Sequence, residues 1–350
     1  MLGIEELERF GRQLSILGST KHNKLRNSKV LVVGCGGLGN TCIPYLYHCG
    51  MTIGVSDDDI VDISNIHRQY MHATHVGSKK SESMKAQCPS LIVEPHFTLE
   101  SSRMTERYDI VVDCCDNPGT KYLINESCIL YNKPWVSASA VAQQGQLLSF
   151  NKDTPCYRCI NPHLPPIISS CDDMGVVGPC PGTFGCLQAY EVINVILNQS
   201  LMRNIMLYIQ FDKWEFKKIK LRHKNPECGS CGIKKTQMDL TVCKTEQQGI
   251  SYDKFMSIKD SSLVVDVRSV EKFSVYNIND SINIPITNIM FNPSQAKSKI
   301  LASMNDKSNI VFICRRGNDS QIAHSKLNFE LPSFNLVGGY MMVCKEANYL

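Results

Sequence analysis

The sequence predicts an α/β protein built as two domains, and three observations carry that prediction. At 350 residues the chain is long enough for two domains of roughly 100–200 residues each, so core size is no obstacle. Near its start, the apolar run from Lys29 to Val33 meets the turn Gly34-Cys35-Gly36-Gly37-Leu38-Gly39, and a helix follows to about His48. Near its end, the apolar run from Asn309 to Ile313 meets Cys314-Arg315-Arg316-Gly317-Asn318-Asp319-Ser320, and Ser320 to Ala323 reads as a helix start. Strand, turn and helix in succession are the units from which α/β layers are assembled.

The first of these units is Rossmann-like. Small residues after a buried strand let the backbone approach a phosphate at a helix N-terminus. By itself the motif would also suit a nicotinamide or flavin enzyme, with Asp57 beyond the next strand serving any ribose. Pro44 lies inside the expected helix and predicts a kink. Residues 30–56 carry no formal charge, yet the glycines at 34, 36, 37, 39, 50 and 54, with Pro44 and His48, argue for strand, loop, helix and strand instead of a membrane span.

Composition excludes little else. The balance of 37 Lys+Arg against 33 Asp+Glu, net +4, is too weak to argue for nucleic acid. Lys217, Lys218, Lys220, Arg222 and Lys224 alternate with Phe216, Ile219 and Leu221, the pattern of a strand with one solvated face. The first residues, including Glu5, Glu6, Glu8 and Arg9, do not read as a signal peptide, so none is expected. With 17 cysteines and no secretory signal, the expectation is reduced thiols used for metal or chemistry in the cytoplasm.

Four of those cysteines form two knuckles, Cys156-x-x-Cys159 and Cys228-x-x-Cys231, each on a turn. Two such pairs suit a tetrahedral four-thiolate Zn2+ site with no open position, which predicts a structural metal that pins the end of the first domain to its middle. Disulfides are the rival, opposed by the cytosolic setting. The expected boundaries are a first domain over residues 1–232, a polar linker over 233–249, and a second, smaller α/β domain over 250–350.

The stretch Asp57-Asp58-Asp59-Ile60-Val61-Asp62-Ile63-Ser64-Asn65-Ile66-His67-Arg68-Gln69 has no role in a dinucleotide site. It resembles the adenylating domain shared by bacterial MoeB and ThiF and by ubiquitin-activating enzymes. Arg9-Phe10-Gly11-Arg12-Gln13, Val76-Gly77-Ser78-Lys79-Lys80 and Asp113-Cys114-Cys115-Asp116-Asn117 agree with that family in order and spacing, over roughly residues 5–232. The resemblance implies ATP and Mg2+: Gly37 against the nucleotide, Asp57 on ribose, and Asn65, Arg68 and Lys80 on phosphates, within the stretch Ser64, Asn65, Ile66, His67, Arg68. It further implies Asp116 at the magnesium and phosphate end, Asn117 beside adenine, and Arg12 reaching the nucleotide of a second copy in a homodimer.

Between the knuckles, residues 165–175 resemble the crossover segment that bears the family's second cysteine. Cys171 matches that position and is preferred to Cys180, because its polar neighbours fit exposure better than a proline-flanked turn. Asp172 and Asp173 should raise its pKa, so activation must come from elsewhere. In the second domain, Cys314 at a strand-to-helix turn beside Arg315 and Arg316 favours a thiolate. A phosphatase loop would need Arg six positions after the cysteine, and that position is Ser320.

With Leu263 to Arg268, Glu271-Lys272-Phe273, Asn283-Ile284-Pro285 and Leu336 to Tyr340, residues 250–350 resemble a rhodanese domain whose Cys314 carries a persulfide. Two departures stand out: Tyr276-Asn277 where the family often has Gly-His, and a short stretch from Ser325 to Leu336. The combination resembles the eukaryotic family of ubiquitin-activating-like adenylyltransferases and sulfurtransferases. It implies adenylation of the C-terminal glycine of a ubiquitin-like sulfur-carrier protein, loading of Cys314 by a cysteine desulfurase, and a thiocarboxylate product for tRNA uridine thiolation, molybdopterin synthesis or both. Cys171 would resolve the acyl disulfide or take the acyl group first as a thioester. A non-catalytic scaffold for a ubiquitin-like partner and an NAD-dependent oxidoreductase are the rival readings; the second leaves Arg12, Asn65, Arg68, Lys80 and both knuckles without a purpose. No direct nucleic-acid or membrane partner is expected.

Overall fold

The computed structural model describes residues 3–163, 175–233, 249–315 and 317–346, with backbone alone for Asn318 and residues 344–346. Cys171, Arg316 and residues 234–248 of the expected linker lie outside them. The described chain divides into two compact units, one on each side of that linker.

The first unit is a sheet of eight strands: β1 (Lys29–Val33), β2 (Thr52–Ser56), β3 (Ile92–Val93), β4 (Ile110–Asp113), β5 (Trp135–Val141), β6 (Gln144–Phe150), β7 (Ile205–Gln210) and β8 (Glu215–Lys220). Their order is β3-β2-β1-β4-β5-β6-β7-β8, parallel from β3 through β5 and antiparallel beyond. Successive strands are added outward in opposite directions from the neighbours β1 and β4, and the carboxyl ends of strands at such a switch point form a crevice. After the exposed Lys29, β1 is apolar because it is covered on both faces: Val30 and Val32 enter one core cluster, Leu31 and Val33 the other.

Among the described residues the helices of this unit begin with α1 (Ile4–Arg26), α2 (Gly39–His48), α3 (Lys80–Gln87), α4 (Pro118–Leu130) and α5 (Tyr157–Ile160). A sixth, α6 (Pro179–Ile196), begins with Pro179 in its first turn and packs on α2 and β5. It buries Phe184, Ala189 and Val192 in the first cluster, where each large side chain contributes about 1.5–3 kcal/mol. α2 runs through Pro44 without interruption, so the expected kink does not break the helix. β8 is a strand as expected, but as the sheet's edge it is exposed on both faces, with Phe216 58% and Ile219 39% accessible.

The second unit is a four-stranded parallel sheet of β9 (Ser262–Asp266), β10 (Ile282–Asn283), β11 (Asn309–Ile313) and β12 (Ser333–Asn335), in the order β10-β9-β11-β12. Its helices are α7 (Tyr252–Ile258), α8 (Val270–Val275), α9 (Ile286–Phe291), α10 (Pro293–Ala302), α11 (Asn318–Leu327) and α12 (Gly339–Glu346). α11 starts two residues before Ser320, because Gly317 turns the chain with φ 95° and releases it directly into the helix. The short stretch after Ser325 still supplies the end of α11 and the edge strand, with Ile310 paired to Ser333.

Candidate active site

In the first unit the glycine loop is tied to the sheet at two glycines. Gly34 has φ 103°, and a Cβ there would lie 2.6 Å from the Cys114 carbonyl oxygen; a Cβ on Gly39 would lie 2.3 Å from that of Gly34. The Cys35 peptide is held from both sides. Its N–H donates to Asp57 Oδ2 at 2.6 Å, and its carbonyl meets His72 Nε2 at 2.8 Å, while His72 Nδ1 meets Ser83 Oγ at 2.8 Å. Burial lowers the His72 pKa, which keeps the ring neutral and suits one nitrogen as donor and the other as acceptor.

Asp57 is half-buried and accepts a second bond, from Asp59 N–H at 2.8 Å. Burial raises its carboxyl pKa and Lys80 opposes the rise. The Lys80 side chain is 8% exposed and its ammonium bonds Asp59 Oδ2 at 2.8 Å. Burial works to lower its pKa, but Asp57, Asp59 and Asp116 outweigh it, so the charge is secure. A buried cation facing three carboxylates at the strand ends can accept an anion together with a divalent ion. Asp62 caps the 3-10 turn Ile63–Asn65 by accepting from Ser64 N–H at 2.7 Å, and Arg68 Nη2 donates to Asn65 Oδ1 at 2.9 Å beside Ser64, Ile66 and His67.

Gly37 lies under the start of α6: a Cβ there would be 3.1 Å from the Pro181 ring. Asp116 and Asn117 are exposed at the head of α4, where the Asn117 side chain accepts from Gly119 N–H at 2.8 Å and caps the helix. Thus Asp57, Lys80 and Asp116 share one neighbourhood. Arg12 is elsewhere: Phe10 and Gln13 anchor α1, with Gln13 Nε2 donating to the Cys49 carbonyl at 3.2 Å, and Arg12 is exposed without a hydrogen bond or ion pair among the described residues.

Sequence reasoning missed the pair beneath this crevice. Lys121 Nζ donates to Asp113 Oδ2 at 2.6 Å and to the Ala138 carbonyl at 3.0 Å, and Ser137 Oγ donates to the same carboxylate oxygen at 2.6 Å. Side-chain exposures are 6% for Lys121 and 0% for Asp113. Charged residues at the end of an apolar strand and one turn into the next helix are the available signal. His72 carried no local signal at all.

The four knuckle thiols converge. Cys156 Sγ is 3.8 Å from Cys159 and 3.6 Å from Cys228, and Cys159 is 3.4 Å from Cys231. A tetrahedral ion with bonds of about 2.3 Å to sulfur places its ligands about 3.8 Å apart, so the cluster fits zinc, and among the described residues the group consists of these four thiols. α4 braces it: Asn125 Oδ1 accepts from Tyr157 N–H at 2.9 Å, Glu126 accepts from the Ser230 hydroxyl, and the Tyr122 hydroxyl lies 2.7 and 2.8 Å from the carbonyls of Asn161 and His163. Cys180 is 3% exposed, its thiol donates to the Gln144 carbonyl at 3.4 Å, and burial pushes its pKa to about 11. It is unsuited to act as a mobile nucleophile.

In the second unit, Cys314 directly follows β11 and is 1% exposed. Its sulfur accepts from Gly317 N–H at 3.1 Å and from the Ser320 hydroxyl at 3.3 Å. α12 seats the loop from behind, with Tyr340 N–H on the Cys314 carbonyl at 2.8 Å and Met341 N–H on that of Arg315 at 3.0 Å. The approach is so close that a Cβ on Gly339 would lie 2.4 Å from the Cys314 oxygen. Tyr276, where a glycine was the family expectation, covers the buried Arg268 guanidinium at 4.4 Å, and Tyr340 covers it at 4.6 Å. Arg268 also donates to both oxygens of Asp266.

Comparison with known proteins gives the same two parts. A ThiF family model matches residues 10–230, and a rhodanese-like domain model matches residues 251–346. Adenylyltransferase and sulfurtransferase MOCS3 of Aedes aegypti is 36% identical over 380 residues, covering 97% of this chain and 86% of that protein. Adenylyltransferase and sulfurtransferase UBA4 of Saccharomyces cerevisiae (strain ATCC 204508 / S288c) is 35% identical over 391 residues, covering 97% and 88%. Among solved structures, E. coli MccB crystallised with ATP superposes with a TM-score of 0.54 at 24% identity, covering 66% of this chain and 76% of that one; the likeness is one of fold. The chain therefore belongs to the ThiF family, as one of the adenylyltransferase and sulfurtransferase proteins in which a rhodanese-like domain follows the adenylating one.

Proposed function

We propose that this chain adenylates the C-terminal glycine of a ubiquitin-like sulfur-carrier protein and then replaces the adenylate by sulfur from Cys314. The observation that carries the reading is the pairing, in one chain that its relatives match over 97% of its length, of the Lys80 crevice with the Cys314 loop.

In the first step a carboxylate oxygen of the carrier attacks the α-phosphorus of ATP, and the bond to pyrophosphate breaks. Positioning two anions is the main task. Lys80, Arg68 and Asn65 hold phosphate oxygens, Asp57 the ribose, Asn117 the adenine, and the Gly37 backbone lies against the nucleotide. Mg2+, held by Asp116, would neutralise charge on the leaving pyrophosphate. Arg12 serves the nucleotide of a second copy, which makes the working form a homodimer. Zn2+ on Cys156, Cys159, Cys228 and Cys231 would be structural.

In the second step the terminal sulfur of a Cys314 persulfide attacks the acyl carbon and expels AMP. The thiol of Cys171 then attacks the Cys314 sulfur, the thiocarboxylate leaves, and a disulfide remains for a cellular thiol reductant. A cysteine desulfurase supplies the persulfide, and the thiocarboxylate serves tRNA wobble-uridine thiolation, molybdopterin synthesis or both, in the cytoplasm. Among the described residues no helix is long and apolar enough to cross a membrane.

The test incubates the protein with a candidate carrier, ATP and a persulfide donor, and weighs the carrier. The expected product is heavier by the exchange of one oxygen for sulfur. Cys314→Ala should lose that product yet still exchange pyrophosphate into ATP. Loss of both activities would overturn the division of labour.

A further inference from the structure

The sixth position after Cys314, where a phosphatase loop would place an arginine for its substrate, is occupied by a hydroxyl turned onto the nucleophile itself. Ser320 has 0% exposure, and its Oγ lies 3.3 Å from Cys314 Sγ. It stands in the first turn of α11, so backbone geometry fixes its direction, and the Gly317 N–H meets the same sulfur at 3.1 Å. A hydroxyl can donate or accept, but a hydroxyl and an amide aimed together at one sulfur favour the form that carries negative charge. The surrounding side chains sharpen the effect. Cys314 lies in the same core cluster as Val265, Phe312 and Ala323, where water cannot supply the donors that an anion requires.

We propose that Ser320 is a catalytic residue of the sulfur-transfer half, holding Cys314 as the thiolate that accepts sulfur from a persulfide donor. The assignment rests on Cys314 being the sulfur carrier. In the step concerned, the Cys314 thiolate attacks the outer sulfur of a donor R–S–SH. The new bond joins Cys314 Sγ to that sulfur, the R–S bond to it breaks, and its electron pair leaves as R–S⁻, with the proton retained on the transferred sulfur. Charge is conserved at one negative unit on each side. The Ser320 hydroxyl bonds Sγ most strongly before the attack, when the charge resides there. Once Sγ is the inner, uncharged sulfur of the persulfide the bond weakens. Ser320 therefore acts on loading and has no part in adenylation.

The experiment compares the full-length protein with Ser320→Ala and Ser320→Thr. The readouts are loading from a small-molecule persulfide between about pH 6 and 10, and iodoacetamide labelling of the Cys314 peptide by mass spectrometry over the same range. For Ser320→Ala the labelling midpoint should rise by about one pH unit and loading near neutral pH should fall about tenfold, the size expected for one hydrogen bond to a charged acceptor. Raising the pH should restore loading, because the thiolate then forms without help. Ser320→Thr should keep the wild-type midpoint. Pyrophosphate exchange, measured on the same samples, should stay at the wild-type level. An unchanged midpoint in Ser320→Ala, or a loss of loading that no pH restores, overturns the assignment. Normal sulfur transfer by Cys314→Ala would instead refute the reading on which it rests.

Discussion

Replacing Lys121 by methionine should cost the first unit a large part of its stability. The lysine side chain is 6% exposed, that of its partner Asp113 is fully buried, and the ammonium lies 2.6 Å from the carboxylate. Removing one member of a buried pair leaves the other charge uncompensated, which costs about 3–5 kcal/mol, and the lysine and methionine stems fill similar space. Asp113 would keep donors from Ser137 and from the Cys115 N–H at 3.1 Å, which places the loss toward the lower end of that range. For a unit of this size each kcal/mol shifts Tm by about 2–4 °C, so Tm should fall by about 6–15 °C. Trp135 is buried and both tryptophans belong to the first unit, so urea unfolding followed by tryptophan fluorescence reports this unit alone. Asp113→Asn combined with Lys121→Met should recover most of the loss, since no buried charge remains unpaired. A cost below about 1 kcal/mol for Lys121→Met, or a double variant no better than the single, would show that the pair does not brace the crevice.

Three further outcomes follow from the same geometry. Purified protein should hold about one zinc per chain and Cys228→Ser nearly none by elemental analysis, with accompanying loss of the first unit's cooperative unfolding; full zinc content in Cys228→Ser would reject the four-thiolate site. Gly39→Ala should weaken ATP binding at least tenfold by calorimetry, because its Cβ would lie 2.3 Å from the Gly34 oxygen and force the loop to move; unchanged affinity would place ATP elsewhere. His72 has a folded pKa below the ordinary 6.5, so the unfolded chain takes the proton first. The stability it contributes is complete above about pH 6.5 and lost as pH falls below it; the urea midpoint should drop between about pH 7 and 5.5, and a drop of the same size in His72→Gln would exclude the ring as its cause.

Much of the fold was legible because its signals are local. Lys29–Val33 and Asn309–Ile313 are strands at the expected bounds, since an unbroken apolar run before a glycine or cysteine turn has few alternatives. The convergence of four thiols was equally legible from their spacing. What the sequence hid depends on distance in space. The His72 clamp on Cys35 spans 37 positions, and the Lys121 pair borrows Ala138 and Ser137 from a neighbouring strand. The two-sided exposure of β8 escaped for a related reason: its place at the edge of the sheet decided it, and that is not written in local composition.

α4 is also a ruler. Its 13 residues rise about 20 Å at 1.5 Å each, with Asn117 capping one end and Asn125 and Glu126 bracing the thiol cluster near the other. One inserted residue would rotate everything beyond it by about 100° and turn Asn125 away from Tyr157. The capped end of α4 and the thiol cluster are therefore locked to a common length. Loops on either side are free to grow, but a lengthened α4 would have to gain whole turns and carry one of its two ends with it.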